Sequence, residues 1–454
     1  MNILIINGSP KGKNSITWQT VNYLEKLHPE HHFTTIHAGQ QIKKLEKDFT
    51  PVLQEVEKAE LILFSYPVYT FIAPYQLHRF MELLKESGVD VTGKFASQIT
   101  TSKHFYDVTA HRYIQDNCCD MGLKFIRGLS ADMDDLTVKK GQQEAQKWAE
   151  HLFWCMTQDY YEPVSTLPAA HTPVMATVPD TAASATTEKT GDVVIVTTVA
   201  EADTSLQAMI NRLRAVLPAA TRVVNLNDYP FMGGCLGCFN CAVDGTCIYK
   251  DGFDDFLRNQ LQTAQAIIYA FTIKDHSMGS RFKLYDDRQF CNGHRTVTMG
   301  MPVGYLISGA YRYETNLQMI LEGRAQVGGN ILAGITTDEA ETDRTIDMLA
   351  ANLSYALQNK NTQPANFYGV GGMKIFRDLI WQMQGMMKAD HKFYKEHGQY
   401  DFPQKQKGRM LFMYLVGAML SNPKLKAKIG GNMNEGMLMP YKKVLDSMPD
   451  QKDK

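Results

Sequence analysis

NILIINGSPKGKNSIT, residues 2–17, decides the fold of this 454-residue chain. An apolar, β-branched run at Ile3–Ile6 breaks into a loop carrying Gly8, Pro10 and Gly12, and TWQTVNYLEKL (17–27) then takes up helical spacing. Strand, tight turn and helix in that order open a parallel α/β sheet. Gly8 permits the turn, and the start of the helix presents backbone N–H groups with positive dipole character. Ser9, Ser15 and Thr17 add hydroxyl donors and Lys11 adds charge, a set suited to a phosphate monoester. The plainer alternative is that Asn14 or Ser15 only caps the helix.

Two more loops follow strands of the same half, where ligands of open α/β sheets collect. In SYPVYTFIAPYQLHRF (65–80), Pro67 stiffens the turn. Val68, Tyr69 and Thr70 there offer a flat apolar wall of the kind a planar ring needs. TTSKHFYD (100–107) ends another strand. Together, GSPKGKNSIT and SYPVYTFIAPYQLHRF resemble the FMN-binding pattern of the NADPH-dependent FMN reductase and iron–sulfur flavoprotein family, whose fold is flavodoxin-like. The resemblance covers about residues 1–155. It implies that Ser9, Lys11, Ser15, Ile16 and Thr17 hold the FMN phosphate. Pro67, Val68, Tyr69 and Thr70 would flank the ring, joined by Thr101 and Ser102.

The second half repeats the first. DVVIVTTVAEADTS (192–205) aligns with NILIINGSPKGKNS at an offset of 190, and AQAIIYAFTIK (264–274) aligns with AELILFSYPVY at 205. Later strands keep offsets of 208 and 206, so one insertion of about 15 residues separates the copies. The insertion falls where the second copy carries GGCLGCFNCAVDGTC, with Cys235, Cys238, Cys241 and Cys247 spaced C-x2-C-x2-C-x5-C. Four thiolates so close can wrap one metal centre, and the glycines let the backbone turn around it. The resembling family holds a [4Fe–4S] cluster in a similar motif; zinc and free or redox-active thiols are the alternatives. The second copy's first loop has lost the glycine, proline and lysine and has gained Glu201 and Asp203. Such a loop repels a phosphate, so this copy is expected to bind no FMN.

The fold expected is α/β: two tandem flavodoxin-like doubly wound parallel sheets plus a C-terminal helical extension. The boundaries read as an FMN-binding domain at 1–160, a Pro/Ala/Thr linker at 161–190, a second flavodoxin-like domain at 191–360 and a basic, Met-rich tail at 361–454. Residues 374–454 carry 15 Lys/Arg against 8 Asp/Glu. Phe376, Leu379, Ile380, Met383 and Met387 share one helical face, expected to pack on the domains; a lid over the flavin, a docking surface for an acidic partner protein and membrane-surface attachment are the alternatives. Asp286 and Asp287 read as caps or surface charge.

The net charge of −1 excludes a broadly basic nucleic-acid binder. The longest apolar run, Met410–Leu420, is too short to span a bilayer, so no membrane span is expected, a membrane partner is disfavoured and the location expected is cytoplasmic. The expected function is an FMN-dependent oxidoreductase passing electrons from NAD(P)H or a reduced protein to an acceptor, with a [4Fe–4S] relay in play. A non-catalytic flavin and iron–sulfur carrier, or an interaction module built on a four-cysteine zinc site, are the alternatives. No catalytic acid or base is named, because flavin chemistry needs orientation and electrostatics more than proton donors. Each copy lacks what the other kept, so the two are expected to dock as an internal pseudo-dimer with Cys235–Cys247 facing Pro67–Thr70. A further homo-oligomer is left open.

Overall fold

Strand residues alternate between two apolar environments in both halves of the chain, the period-2 pattern of sheets buried on both faces. In the computed structural model, which describes residues 1–163, 170–179, 189–424 and 433–448, the first half holds β1 (Asn2–Asn7), β2 (His32–Ile36), β3 (Leu61–Pro67), β4 (Phe95–Ser102), β5 (Lys124–Phe125) and β6 (Leu129–Asp132). The strands run parallel in the order β2-β1-β3-β4-β5, with β6 also on β4. Six helices connect and cover them: α1 (Ile16–Leu27), α2 (Ala38–Leu45), α3 (Thr50–Lys58), α4 (Tyr75–Glu86), α5 (Asp107–Asp120) and α6 (Lys139–Thr157).

The second half repeats the order. β7 (Thr190–Thr197), β8 (Ala219–Asn225), β9 (Ala266–Thr272), β10 (Pro302–Ser308) and β11 (Ile331–Thr337) form a parallel sheet in the order β11-β10-β9-β7-β8. Both sheets have the flavodoxin-like 2-1-3-4-5 arrangement. Their helices are α7 (Thr204–Val216), the short α8 (Cys241–Asp244) and α9 (Phe253–Phe256), α10 (Gly279–Arg288), α11 (Thr315–Gly328) and α12 (Thr342–Asn359). Then come α13 (Phe367–Gln382), α14 (Lys388–Glu396), α15 (Lys407–Leu420) and a last helix at Met433–Asp446. The chain is thus α/β, two tandem flavodoxin-like sheets followed by helices. Part of the expected linker, residues 164–169 and 180–188, lies outside the described residues.

One apolar core joins the facing sides of the two sheets. Leu4, Ile6, Ile62 and Phe64 of the first belong to the same buried cluster as Val194, Val196, Ile267 and Phe271 of the second. The alternate residues face outward: Ile3, Ile5, Leu61 and Leu63 pack with α1 and α6, while Val193, Ile195 and Ile268 pack with α7 and α12. Equivalent helices meet across the shared core, α4 on α10 and α5 on α11. Residues Met1–Phe393 form one unit and Tyr394–Lys454 another.

The repeat extends to backbone detail that side-chain identity hides. Tyr69 and Ile72 bridge across a tight turn whose central residues, Thr70 and Phe71, have φ of 43° and 74°. Lys274 and Ser277 form the same bridge around Asp275 and His276, with φ of 51° and 61°. Every one of these positions lies 205 residues after its counterpart. The second copy lost the Pro-Val-Tyr sequence and kept the turn.

Candidate functional site

β1 delivers Asn7 to the sheet edge fully buried, and its side chain ties the following loop together. Asn7 Oδ1 accepts the N–H of Ser9 (3.1 Å), and Asn7 Nδ2 donates to Gly12 O (3.1 Å). Gly12 adopts φ +53°, open to glycine at little cost. From the other side Gly39 presses on the loop: a Cβ there would sit 2.2 Å from the backbone oxygen of Ser9. Neither Asn7 nor Gly39 stands out in the sequence, since each acts on the backbone of the loop, Asn7 through its amide and Gly39 by close approach. Ser15 does occupy the cap position of α1, but its hydroxyl makes no capping bond. That hydroxyl and the N–H groups of the first turn, which have no partner within the helix, remain for a ligand. Thr17 Oγ1 lies 2.5 Å from Thr101 Oγ1, linking the first loop to the third.

The ring loop is held from the second copy. Thr70 Oγ1 donates to Asp287 Oδ1 (3.2 Å), and Lys283 Nζ donates to Tyr69 O (2.8 Å). Gln76 Nε2 donates to Cys235 O (3.2 Å), and Tyr69 packs edge-on to Phe290 at 5.7 Å. Gly237 has φ +60°, and a Cβ there would lie 1.9 Å from Tyr69 Oη, so only glycine lets the cysteine segment approach the ring loop this closely. Burial pushes the Tyr69 hydroxyl well above its ordinary range, with the Cys235 and Asp287 charges acting the same way.

These loops enclose a cavity of about 440 Å³. Ser9, Lys11, Ser15, Ile16, Thr17, Pro67, Val68, Tyr69, Thr70, Thr101 and Ser102 all line it, as do Cys235, Cys238, Cys241 and Cys247. The α13 face joins them through Phe376, Leu379 and Met383, followed by Met387, while Ile380 is fully buried. Phe376 stacks on Phe105 at 4.3 Å and meets His294 edge-on at 4.6 Å.

The four cysteines share the cavity wall without sharing a centre. Cys235 Sγ accepts the N–H of Gly237 (3.4 Å), the Cys241 thiol donates to Phe290 O (3.1 Å), and Cys247 Sγ lies 3.8 Å from Arg288 Nη2. Cys238 is exposed. Among the described residues no three Cys, His, Asp or Glu gather closely enough to hold a metal ion. The expected [4Fe–4S] and zinc ligand sets thus gain no support from the geometry: Cys235, Cys241 and Cys247 each face a different partner, and Cys238 faces solvent. Burial pushes the Cys241 thiol up to about 11 and raises Cys235 further.

Of the reading of Asp286 and Asp287 as caps or surface charge, the cap holds for Asp287 and the surface position needs correction. Both are buried, along with Lys283 and Arg288. Asp286 pairs with Arg324, whose guanidinium also faces the Phe71 ring at 5.8 Å. Arg288 grips Asp251 through both oxygens at 2.7 Å. Burial opposes the Asp251 charge, but those bonds and the N–H of Met232 hold its carboxyl down to about 2. Asp287 caps α4 across the copies, and burial pushes it up to about 6 against the pull of Lys283.

In the second copy the equivalent phosphate position is filled from within. The fully buried Asp338 accepts hydroxyls of Ser205 (2.7 Å) and Ser308 (2.6 Å) and the N–H of Gly309 (2.9 Å). His171 Nε2 lies 2.8 Å from Asp338 Oδ1, and Val174 N–H donates to Asp338 O. Asp203 folds back on its own loop, accepting from Ala200 N–H and from the Thr272 hydroxyl.

Comparison with known proteins agrees with this fold for the first copy. Residues 1–152 match the model of a family described as having the flavodoxin-like fold. Among solved structures, an FMN-dependent NADH-azoreductase from Bacillus anthracis str. Ames Ancestor, in complex with FMN, is 14% identical with a TM-score of 0.29; the match covers 33% of this chain and 98% of that one. General stress protein 14 from Treponema denticola, in complex with FMN, is 13% identical with a TM-score of 0.28, covering 35% and 99%. An NAD(P)H:quinone oxidoreductase from Methanothermobacter marburgensis is 10% identical with a TM-score of 0.27, covering 36% and 98%. Likeness this low carries no activity over to the present chain. No curated protein matches it.

Proposed function

We propose that the cavity holds FMN and that the chain is an FMN-dependent oxidoreductase, taking electrons from NAD(P)H or a reduced protein. The reading rests on one observation: all eleven residues of the three first-copy loops line a single cavity, of a size ordinary for a cofactor site. FMN, when bound, supplies hydride acceptance and stepwise release of electrons. The chain supplies the rest. The α1 N-terminus with Ser9, Ser15 and Thr17 binds the phosphate, Pro67–Thr70 orient the ring plane, and Phe376, Leu379, Met383 and Met387 exclude water.

The second copy is read as a partner that completes the cavity and binds no flavin, since Asp338 already occupies the hydroxyls and N–H an anion would need. In this sense the two copies are an internal counterpart of a dimer. The cysteines are read as thiols lining the acceptor side, with no cluster.

The test is titration of the full chain with FMN, followed by anaerobic addition of NADH or NADPH. One FMN per chain is expected, bleached by a nicotinamide, with binding lost in Gly8→Asp. Failure to bind FMN would overturn the proposal. Binding without reduction by either nicotinamide would make the chain an electron carrier.

A further inference from the structure

The tail carries an apolar helix with no polar side over its middle. In α15, Met410, Leu411, Phe412, Met413, Tyr414 and Leu415 are consecutive, and each is between 52% and 71% exposed. Six consecutive helical residues go more than once around the axis, so the exposed apolar surface is a girdle, not a stripe. A helix that pairs with one partner buries a stripe and keeps an opposite polar face. Exposed apolar patches on this scale mark interaction sites.

Charge narrows the occupant. From Phe402 to Asn434 the sequence holds Lys405, Lys407, Arg409, Lys424, Lys426 and Lys428 and no Asp or Glu. A second copy would set these like charges against each other, whereas an anionic surface complements them. Length narrows it further: 14 residues span about 21 Å, short of a bilayer core of roughly 30 Å. Among the described residues no helix is long and apolar enough to cross a membrane. In the helix Met433–Asp446, Leu438, Tyr441 and Leu445 are also exposed at helical spacing, with Lys442 and Lys443 beside them.

We infer that α15 is a membrane-surface anchor: it embeds its apolar girdle in one leaflet of a bilayer rich in anionic lipid, with the flanking Lys and Arg at the headgroups. Run length excludes spanning but not insertion into one leaflet.

The test is flotation of the full-length protein with phosphatidylcholine vesicles, with and without phosphatidylglycerol. Strong binding is expected only with phosphatidylglycerol. Leu411→Glu with Leu415→Glu should abolish it, and Lys405→Glu, Lys407→Glu and Arg409→Glu together should weaken it by about tenfold or more. These side chains are on an exposed helix, so unchanged FMN titration confirms that the variants are folded. No flotation, equal flotation with neutral vesicles, or flotation indifferent to the Leu substitutions would each overturn the anchor. So would a lipid-independent dimer, seen by sedimentation equilibrium, that the Leu substitutions dissociate while vesicles go unbound.

Discussion

The carboxylate of Asp287, in the second copy, accepts the backbone N–H of Tyr75, in the first, at 2.7 Å. The relationship is reciprocal: Glu82 of the first copy accepts the N–H of Ser280 in the second, also at 2.7 Å. Tyr75 is the first residue of α4 and Ser280 the second of α10, and each carboxylate lies seven residues further along its own helix. Each helix therefore caps the other, an isologous contact of the kind made by two-fold dimers, here within one chain.

Asp287→Ala should remove one of these caps and take from the buried Lys283 its nearer carboxylate, leaving Asp286 at 3.7 Å. The expected loss is about 3–5 kcal/mol, read as a fall in the urea midpoint. A loss under ~1 kcal/mol would mean the contact is incidental to stability.

His276 lies between Asp120 Oδ2 at 2.8 Å and Glu314 Oε2 at 3.0 Å, with Lys85 on Asp120 and Asp116 nearby. Burial works against the charged ring, but the bonds and charge of the two carboxylates outweigh it and push the imidazole up to about 10. A folded-state value above the unfolded one stabilises fully below the unfolded value, near 6.5, and the effect is lost as pH rises through 10. His276→Gln should therefore flatten stability between pH 7 and 10 relative to the parent protein. Parallel unfolding curves for the two proteins across that range would contradict the assignment.

Gly39→Ala places a methyl where the Ser9 backbone now lies. The phosphate loop must shift, and FMN binding is expected to weaken by about tenfold or more, a change of ~1.4 kcal/mol. Equilibrium titration measures it, and undiminished affinity would separate Gly39 from the flavin site.

Asp338→Ala strips Ser205, Ser308 and Gly309 of their shared acceptor. Stability should fall by about 2–4 kcal/mol, since buried donors lose their partner. FMN stoichiometry should stay at one per chain, because Lys11 and the glycine loop have no counterpart in the second copy. Two flavins bound per parent chain would defeat the assignment of roles.

Alkylation should distinguish the cysteines. Cys238 is exposed, whereas burial raises the Cys241 and Cys235 thiols and lowers their thiolate fraction at neutral pH. Mass spectrometry after brief iodoacetamide treatment should find Cys238 modified first and the buried Cys118 last. Equal rates at Cys238 and Cys235 would show that the segment opens freely.

By itself the sequence determined everything that depends on neighbours in the chain. Unbroken apolar, β-branched runs specified strands buried on both faces, Gly8 and Gly12 specified the first loop, and the near-constant offset specified a second copy of the same topology. The complementary losses of the two copies even suggested that they dock. Only the tertiary structure decided what each side chain meets. Asp287 in DDR reads as a cap or surface charge and proves to be a buried cap because α4 lies across it; α13 reads as an appendage and lines the cavity. Cysteine spacing permits a metal centre, but whether thiols converge depends on where Gly237 and Phe290 hold them. Burial, capping and convergence are set by contacts between residues some 200 positions apart, and those arise from how the helices of two copies pack over one shared core.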